Sequence, residues 1–138
     1  METININIEG YWRDKHRTGL PAHSGIFLVY EATYNLNNDT VKLLKVIYVG
    51  EAANLRERLS NHPHYEEWKQ YLQSGEELCY SIGHVSDNFR EQVKAAFIFD
   101  RKPIANTRYK DDFPFPATNI ICSGKTALLQ TNFVVNPS

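Results

Sequence analysis

The sequence predicts an α+β domain: a central three-stranded antiparallel sheet flanked by helices, with an N-terminal arm before it and a C-terminal β hairpin after it. Three observations carry this reading. The runs Gly25–Ala32, Val41–Val49 and Leu78–Val85 have the length and apolar content of strands. Apolar residues recur at helical spacing between and after them, as in Phe89, Val93, Ala96 and Phe97. Finally, 138 residues with 42% hydrophobic and 22% charged composition suit one globular unit with a core of its own.

Taken in order, residues 1–24 form the arm, where Ile4, Ile6 and Ile8 alternate with polar residues at the period of a short strand. Gly19 to Ser24 is turn-like. The first two buried strands are joined across Asn35–Asp39, whose Asn and Asp side chains favour a turn, giving a hairpin. Tyr48-Val-Gly50 reads as a turn closing the second strand. Asn54 is the N-cap of a helix running to about His62, and Pro63 breaks it. Tyr65–Gln73 forms a second helix with Trp68, Tyr71 and Leu72 on one face. After the third strand, Asp87 caps a third helix, Asn88 to Arg101, which Pro103 stops. Residues 107–138 hold an extended Phe113–Pro116 connector and a hairpin around Ser123-Gly-Lys125, packed on the same domain.

The net charge of −1 supplies no basic face in bulk, so duplex binding through a broad cationic surface is not expected. A local patch of Arg13, Lys15, His16 and Arg17 beside Tyr11 and Trp12 is the candidate for nucleic-acid contact; it also reads as a solvated loop. No run approaches the roughly 18 apolar residues of a membrane helix. The N-terminal Met1–Glu9 lacks the basic and apolar regions of a signal peptide, so a cytoplasmic location is expected. Cys79 and Cys122 lie in apolar runs and read as buried free thiols, with a disulfide or metal role as alternatives.

The chemistry concentrates in Val46–His62. Arg58 and His62 stand four residues apart, which on a helix puts guanidinium and imidazole on one face, one turn apart. A tyrosine, Tyr48, closes the preceding strand. A phenol, a guanidinium and an imidazole converging on one spot suit the binding and cleavage of a phosphodiester.

These residues resemble the GIY-YIG nuclease family, including the excision-repair nuclease subunits and the homing and restriction endonucleases. Gly25-Ile26-Phe27 stands for its first motif, Tyr48-Val49-Gly50 for its second. Asn54, Leu55, Arg58 and His62 follow in the family's order, and Phe97-Ile98, Pro103 and Asn106 match its last block. The match covers residues 25–106. The resemblance implies that Tyr48 orients or deprotonates water, Arg58 grips the phosphate, His62 assists proton movement, and Asn106 holds the local fold. It also implies one divalent ion, Mg²⁺ or Mn²⁺, held by a glutamate three residues before Phe97-Ile98.

That position is Lys94, whose ammonium cannot ligate a metal that demands oxygen donors. The first-motif tyrosine is Phe27, which has lost the hydroxyl. Glu91, one turn earlier, is a possible substitute ligand, but an axial shift of about 4.5 Å is large against a metal–oxygen bond of roughly 2.1 Å. Lys94 could instead contact phosphate as a fixed cation. Three functions follow: a nuclease-family protein that acts on or binds nucleic acid, with DNA the expected partner, through a degenerate site in which Arg58 and Lys94 contact the phosphates; an active metal-dependent endonuclease using Glu91; or a non-catalytic interaction protein.

Overall fold

The apolar run in β2 (Gly25–Asn35) is continuous because both faces of this strand are covered. Ile26, Leu28, Tyr30 and Ala32 enter one core cluster, while Phe27 and Val29 enter a second on the opposite face. β2 pairs antiparallel with β3 (Thr40–Ala52) on one side and with β4 (Glu77–His84) on the other. Those are the three strands expected from the sequence, but they are half of the sheet.

The computed structural model, which describes residues 1–138, extends this trio into one curled mixed sheet of six strands. Its order is β3-β2-β4-β1-β5-β6. The expected arm is β1 (Glu2–Arg13), an interior strand paired antiparallel with β4 and parallel with β5 (Thr118–Gly124). β6 (Asn132–Val135) closes the far edge against β5. The expected three-stranded sheet flanked by helices is therefore wrong: strands take 40% of the chain and helices 21%, so the sheet is the body of the fold. The physical reason is long-range pairing. Ile6 and Ile8 are 2% and 1% exposed because β5, more than a hundred residues away, supplies the partner that an arm would lack.

The helices are short. α1 (Leu55–Ser60) starts at Asn54, whose Oδ1 accepts from the Glu57 backbone N–H at 3.1 Å. It ends before His62: Asn61 leaves helical geometry, and Pro63 disfavours the helical conformation for the residue before it. α2 (Tyr65–Lys69) stops well short of Gln73. α3 (Arg90–Arg101) buries Val93, Ala95, Ala96, Phe97 and Ile98 in the first cluster. Asp87 does not cap it but contacts Ser24 Oγ at 3.0 Å and Arg90 Nε at 3.2 Å. Lys102 ends α3 in the left-handed conformation at φ 48°.

Cys79 and Cys122 are buried and free, and burial pushes their thiols up to about 12 and about 11. No helix is long and apolar enough to cross a membrane.

Candidate functional site

Tyr48-Val49-Gly50 is strand rather than turn, since β3 continues to Ala52. In the β2–β3 ladder Phe27 faces Gly50, and Val29 and Tyr30 oppose Tyr48 and Val46, so Ile47 is the extra residue of a bulge. The bulge lets Ile47 and the half-buried Tyr48 both pack on the second cluster. Gly50 is required there: a Cβ on it would come within 2.7 Å of Phe27 Cε1. Phe27 is fully buried. Its ring lies 6.1 Å from that of Tyr48 and 5.7 Å from that of His62.

His62 is 7% exposed and packs on Trp68 at a centroid distance of 4.5 Å. Its Nδ1 accepts from the His64 backbone N–H at 3.0 Å, which places the proton of the neutral ring on Nε2. Burial, then the charges of Arg58 and His64, push its pKa down to about 3. His62 thus stays neutral at physiological pH, and a role in carrying protons there has no support from its surroundings. Burial likewise raises the Tyr48 phenol, with Glu67 and Glu51 adding to the effect and Arg58 opposing it. Tyr48 is therefore a hydroxyl donor and not a phenolate.

Asn106 closes the outer edge of β3 beside this cluster. Its Oδ1 accepts from Val49 N–H at 2.9 Å and its Nδ2 donates to Val49 C=O at 3.0 Å. Ala105 N–H adds a bond to Ile47 C=O at 3.0 Å. Pinning this segment brings Arg108 and Tyr109 against α3, and a cleft of about 170 Å³ forms between them. Tyr48, His64, Glu67, Lys94, Asn106 and Arg108 all line it.

Lys94 is held by Glu91, Nζ to Oε2 at 3.2 Å. Glu91 also accepts from Tyr109 Oη at 2.5 Å and lies 3.8 Å from Arg108 Nη1. Burial alone would raise the Glu91 carboxyl, but the Tyr109 hydrogen bond and the Lys94 and Arg108 charges bring it below its usual range. The same arrangement pushes Tyr109 up to about 12, through burial first and Glu91 second.

Arg58 is the residue most displaced from the expected constellation. It is exposed on α1 and opens onto a neighbouring depression with Glu51, Asn54 and Arg90, although its charge is felt at both Tyr48 and His62. The expected face shared by Arg58 and His62 does not exist, because His62 lies beyond the helix. The N-terminal basic patch is also committed elsewhere. Arg13 makes a bidentate pair with Glu77 at 2.9 and 2.8 Å and stacks 3.5 Å over Tyr34. Arg17 lies 4.1 Å over Tyr65 and 3.7 Å from Asp14. Lys15 is exposed.

The donors around Lys94 do not suit a divalent ion. No group of three or more His, Cys, Asp or Glu side chains gathers anywhere in the chain. Glu91 is taken up by two cations and a phenol, and Glu67 pairs with His64 at 3.1 Å. His64, Glu67, Arg108 and Tyr109 were not picked out by the sequence motifs. The one signal for the last two was their position two and three residues after Asn106. No family model, no curated protein and no solved structure matches this chain.

Proposed function

We propose that this chain binds nucleic acid by gripping a phosphate in the Tyr48–Lys94 cleft, and that it does not hydrolyse it through a metal. The resemblance of its motifs to those of GIY-YIG nucleases motivates the nucleic-acid assignment and stands on those motifs alone. The observation that carries the reading is that Tyr48, Lys94 and Arg108 line one cleft, where the family's mechanism would want a metal-binding carboxylate. A phenol Oη–H, an ammonium and a guanidinium are the donor types that recognise phosphate oxygens. The cleft is below the roughly 300–1,000 Å³ of whole-ligand sites, so it takes one phosphate group while the rest of the strand runs over the surface. Arg58 stands outside this cleft, in a separate depression shared with Glu51, Glu57 and Arg90, and its charge reaches Tyr48, so on this reading it meets the next phosphate of the strand. Glu67 in the lining and Glu91 paired with Lys94 weaken the anion's attraction, which makes the binding modest, and with one or two phosphates neutralised its salt dependence is shallow.

The test is fluorescence anisotropy with a labelled single-stranded and a labelled double-stranded oligonucleotide, beside a plasmid-nicking assay with Mg²⁺ and with Mn²⁺. Binding that weakens with salt, falls about tenfold in Lys94→Ala and Arg108→Ala, and is accompanied by no nicking is expected. Nicking that Arg58→Ala abolishes would overturn the non-catalytic reading and favour a metal held through Glu91. Affinity unchanged by either cleft substitution would overturn the site.

A further inference from the structure

β3 is the edge strand of the sheet, and its outer edge is covered unevenly. Ala105 and Asn106 close it at Ile47 and Val49. From Thr40 to Val46 no strand pairs with that edge. At its closed end lies a groove of about 560 Å³, on a different part of the surface from the Tyr48–Lys94 cleft; the two share no lining residue. Leu44, Ile104 and Leu128 line it and are 38%, 48% and 41% exposed. Six large hydrophobic side chains are exposed in the whole chain, and half of them meet here. Leu44 is itself the second bulge position of β3, skipped between the Glu31–Lys45 and Ala32–Leu43 pairs.

Four cations share the groove with them: Lys45, Arg101, Lys102 and Lys110. Arg101 is paired with Asp100, and Lys102 lies 3.9 Å from the exposed Asp111 while also donating to the Lys110 carbonyl. Lys45 and Lys110 make no ion pair. In a chain of net charge −1, apolar contacts ringed by cations beside an open strand edge are a local departure from the surface average.

We propose that this groove docks an extended acidic peptide from a partner protein, added as a strand alongside Thr40–Val46. The open edge offers main-chain hydrogen bonds, Leu44, Ile104 and Leu128 receive alternate apolar side chains, and Lys45 and Lys110 meet the intervening carboxylates. A nucleic acid would satisfy the cations and leave the three apolar side chains in water, which is why a peptide fits better.

The probe is a seven-residue peptide alternating valine and glutamate, titrated into the ¹⁵N-labelled full chain to millimolar concentration. A glutamine-for-glutamate peptide and a single-stranded oligonucleotide serve as the other arms. Amide shifts at Thr40–Val46 and Lys102–Ile104 are expected with the acidic peptide. Affinity should fall at least fivefold for the glutamine peptide and at least tenfold in Leu44→Asp and in Lys45→Glu/Lys110→Glu. Each variant is to be compared at unchanged melting temperature, and the exposed Leu128→Asp serves in place of either that fails to fold. No shift in these segments, equal binding of the glutamine peptide, or displacement of the peptide by the oligonucleotide at equal affinity would overturn the proposal. Loss of oligonucleotide binding in Lys94→Ala leaves this groove untouched, so the two sites fail separately.

Discussion

Replacing Asn106 with alanine removes the one side chain that completes the edge of β3 next to the cleft. Two hydrogen bonds are lost, at 2.9 and 3.0 Å, and both backbone partners belong to the fully buried Val49. Asn106 is itself 7% exposed, so solvent reaches the orphaned groups poorly. Each net bond is worth about 1 kcal/mol, and leaving a buried group unsatisfied costs about 1–3 kcal/mol, so Asn106→Ala should lose about 2–4 kcal/mol. The assay is urea unfolding followed by circular dichroism, where the midpoint should fall with the slope unchanged. Asn106→Asp sharpens the test. Its carboxylate keeps the acceptor for Val49 N–H but sets an oxygen against Val49 C=O in place of a donor. That conflict and burial raise the carboxyl pKa in the folded state above its unfolded value. Its stability relative to the natural chain should therefore be higher at pH 5 than at pH 7, and be lost as pH rises. A loss below about 1 kcal/mol for Asn106→Ala, or no relative recovery of Asn106→Asp on acidification, would refute the view that this clamp holds the segment.

Three further outcomes are expected. His62 has a folded pKa of about 3 against an ordinary 6.5, so the unfolded chain binds the proton first and stability falls as pH drops below about 6.5. Between pH 7 and pH 5 this contributes a loss of about 1–2 kcal/mol that His62→Asn should lack, read from melting temperatures of both proteins at the two pH values. Gly50→Ala should destabilise by about 1–3 kcal/mol, because its methyl meets the Phe27 ring. Adding Phe27→Leu should make the pair less costly than the sum of the single changes in a double-mutant cycle. Arg13→Gln should lower the melting temperature while leaving oligonucleotide affinity unchanged, since its guanidinium is already committed to Glu77 and Tyr34.

The parts of the fold legible in the sequence were those set by local chemistry. Asn54 caps α1 because an Asn side chain can reach a backbone N–H three residues on. The Asn35 side chain likewise accepts from the N–H groups of Asn37 and Asn38 and fixes the β2–β3 turn. What sequence patterns could not give was the partner of β1. Alternation at Ile4, Ile6 and Ile8 says that a strand exists and is silent on whether one neighbour or two lie beside it. Here the second neighbour is parallel, reached after the whole of the central region, and it turns an expected appendage into the middle of the sheet. The reading of Tyr48-Val-Gly50 as a turn failed for a related reason. Glycine usually signals a bend, but this one serves the close approach of the Phe27 ring from the adjacent strand.

The candidate site follows the same division. The resemblance singled out Tyr48, Lys94 and Asn106, and tertiary structure brings all three to the lining of one cleft. Spacing failed for Arg58 and His62, because four residues make one helical turn only while the helix lasts, and Pro63 ends it early. The consequence is chemical. A histidine on an exposed helix face would titrate near neutrality, whereas His62, folded under Trp68 with Nδ1 bound to a backbone N–H, is held neutral. The cleft therefore offers hydrogen-bond donors, Tyr48, Lys94 and Arg108 among them, while His62, expected to move protons, does not line it and Glu67 is engaged with His64. On the reading proposed above these donors hold a phosphate, and the departure from the family's cleavage machinery that matters most is the Lys94 ammonium, which stands where an oxygen ligand for a metal is expected, more than the loss of the Phe27 hydroxyl.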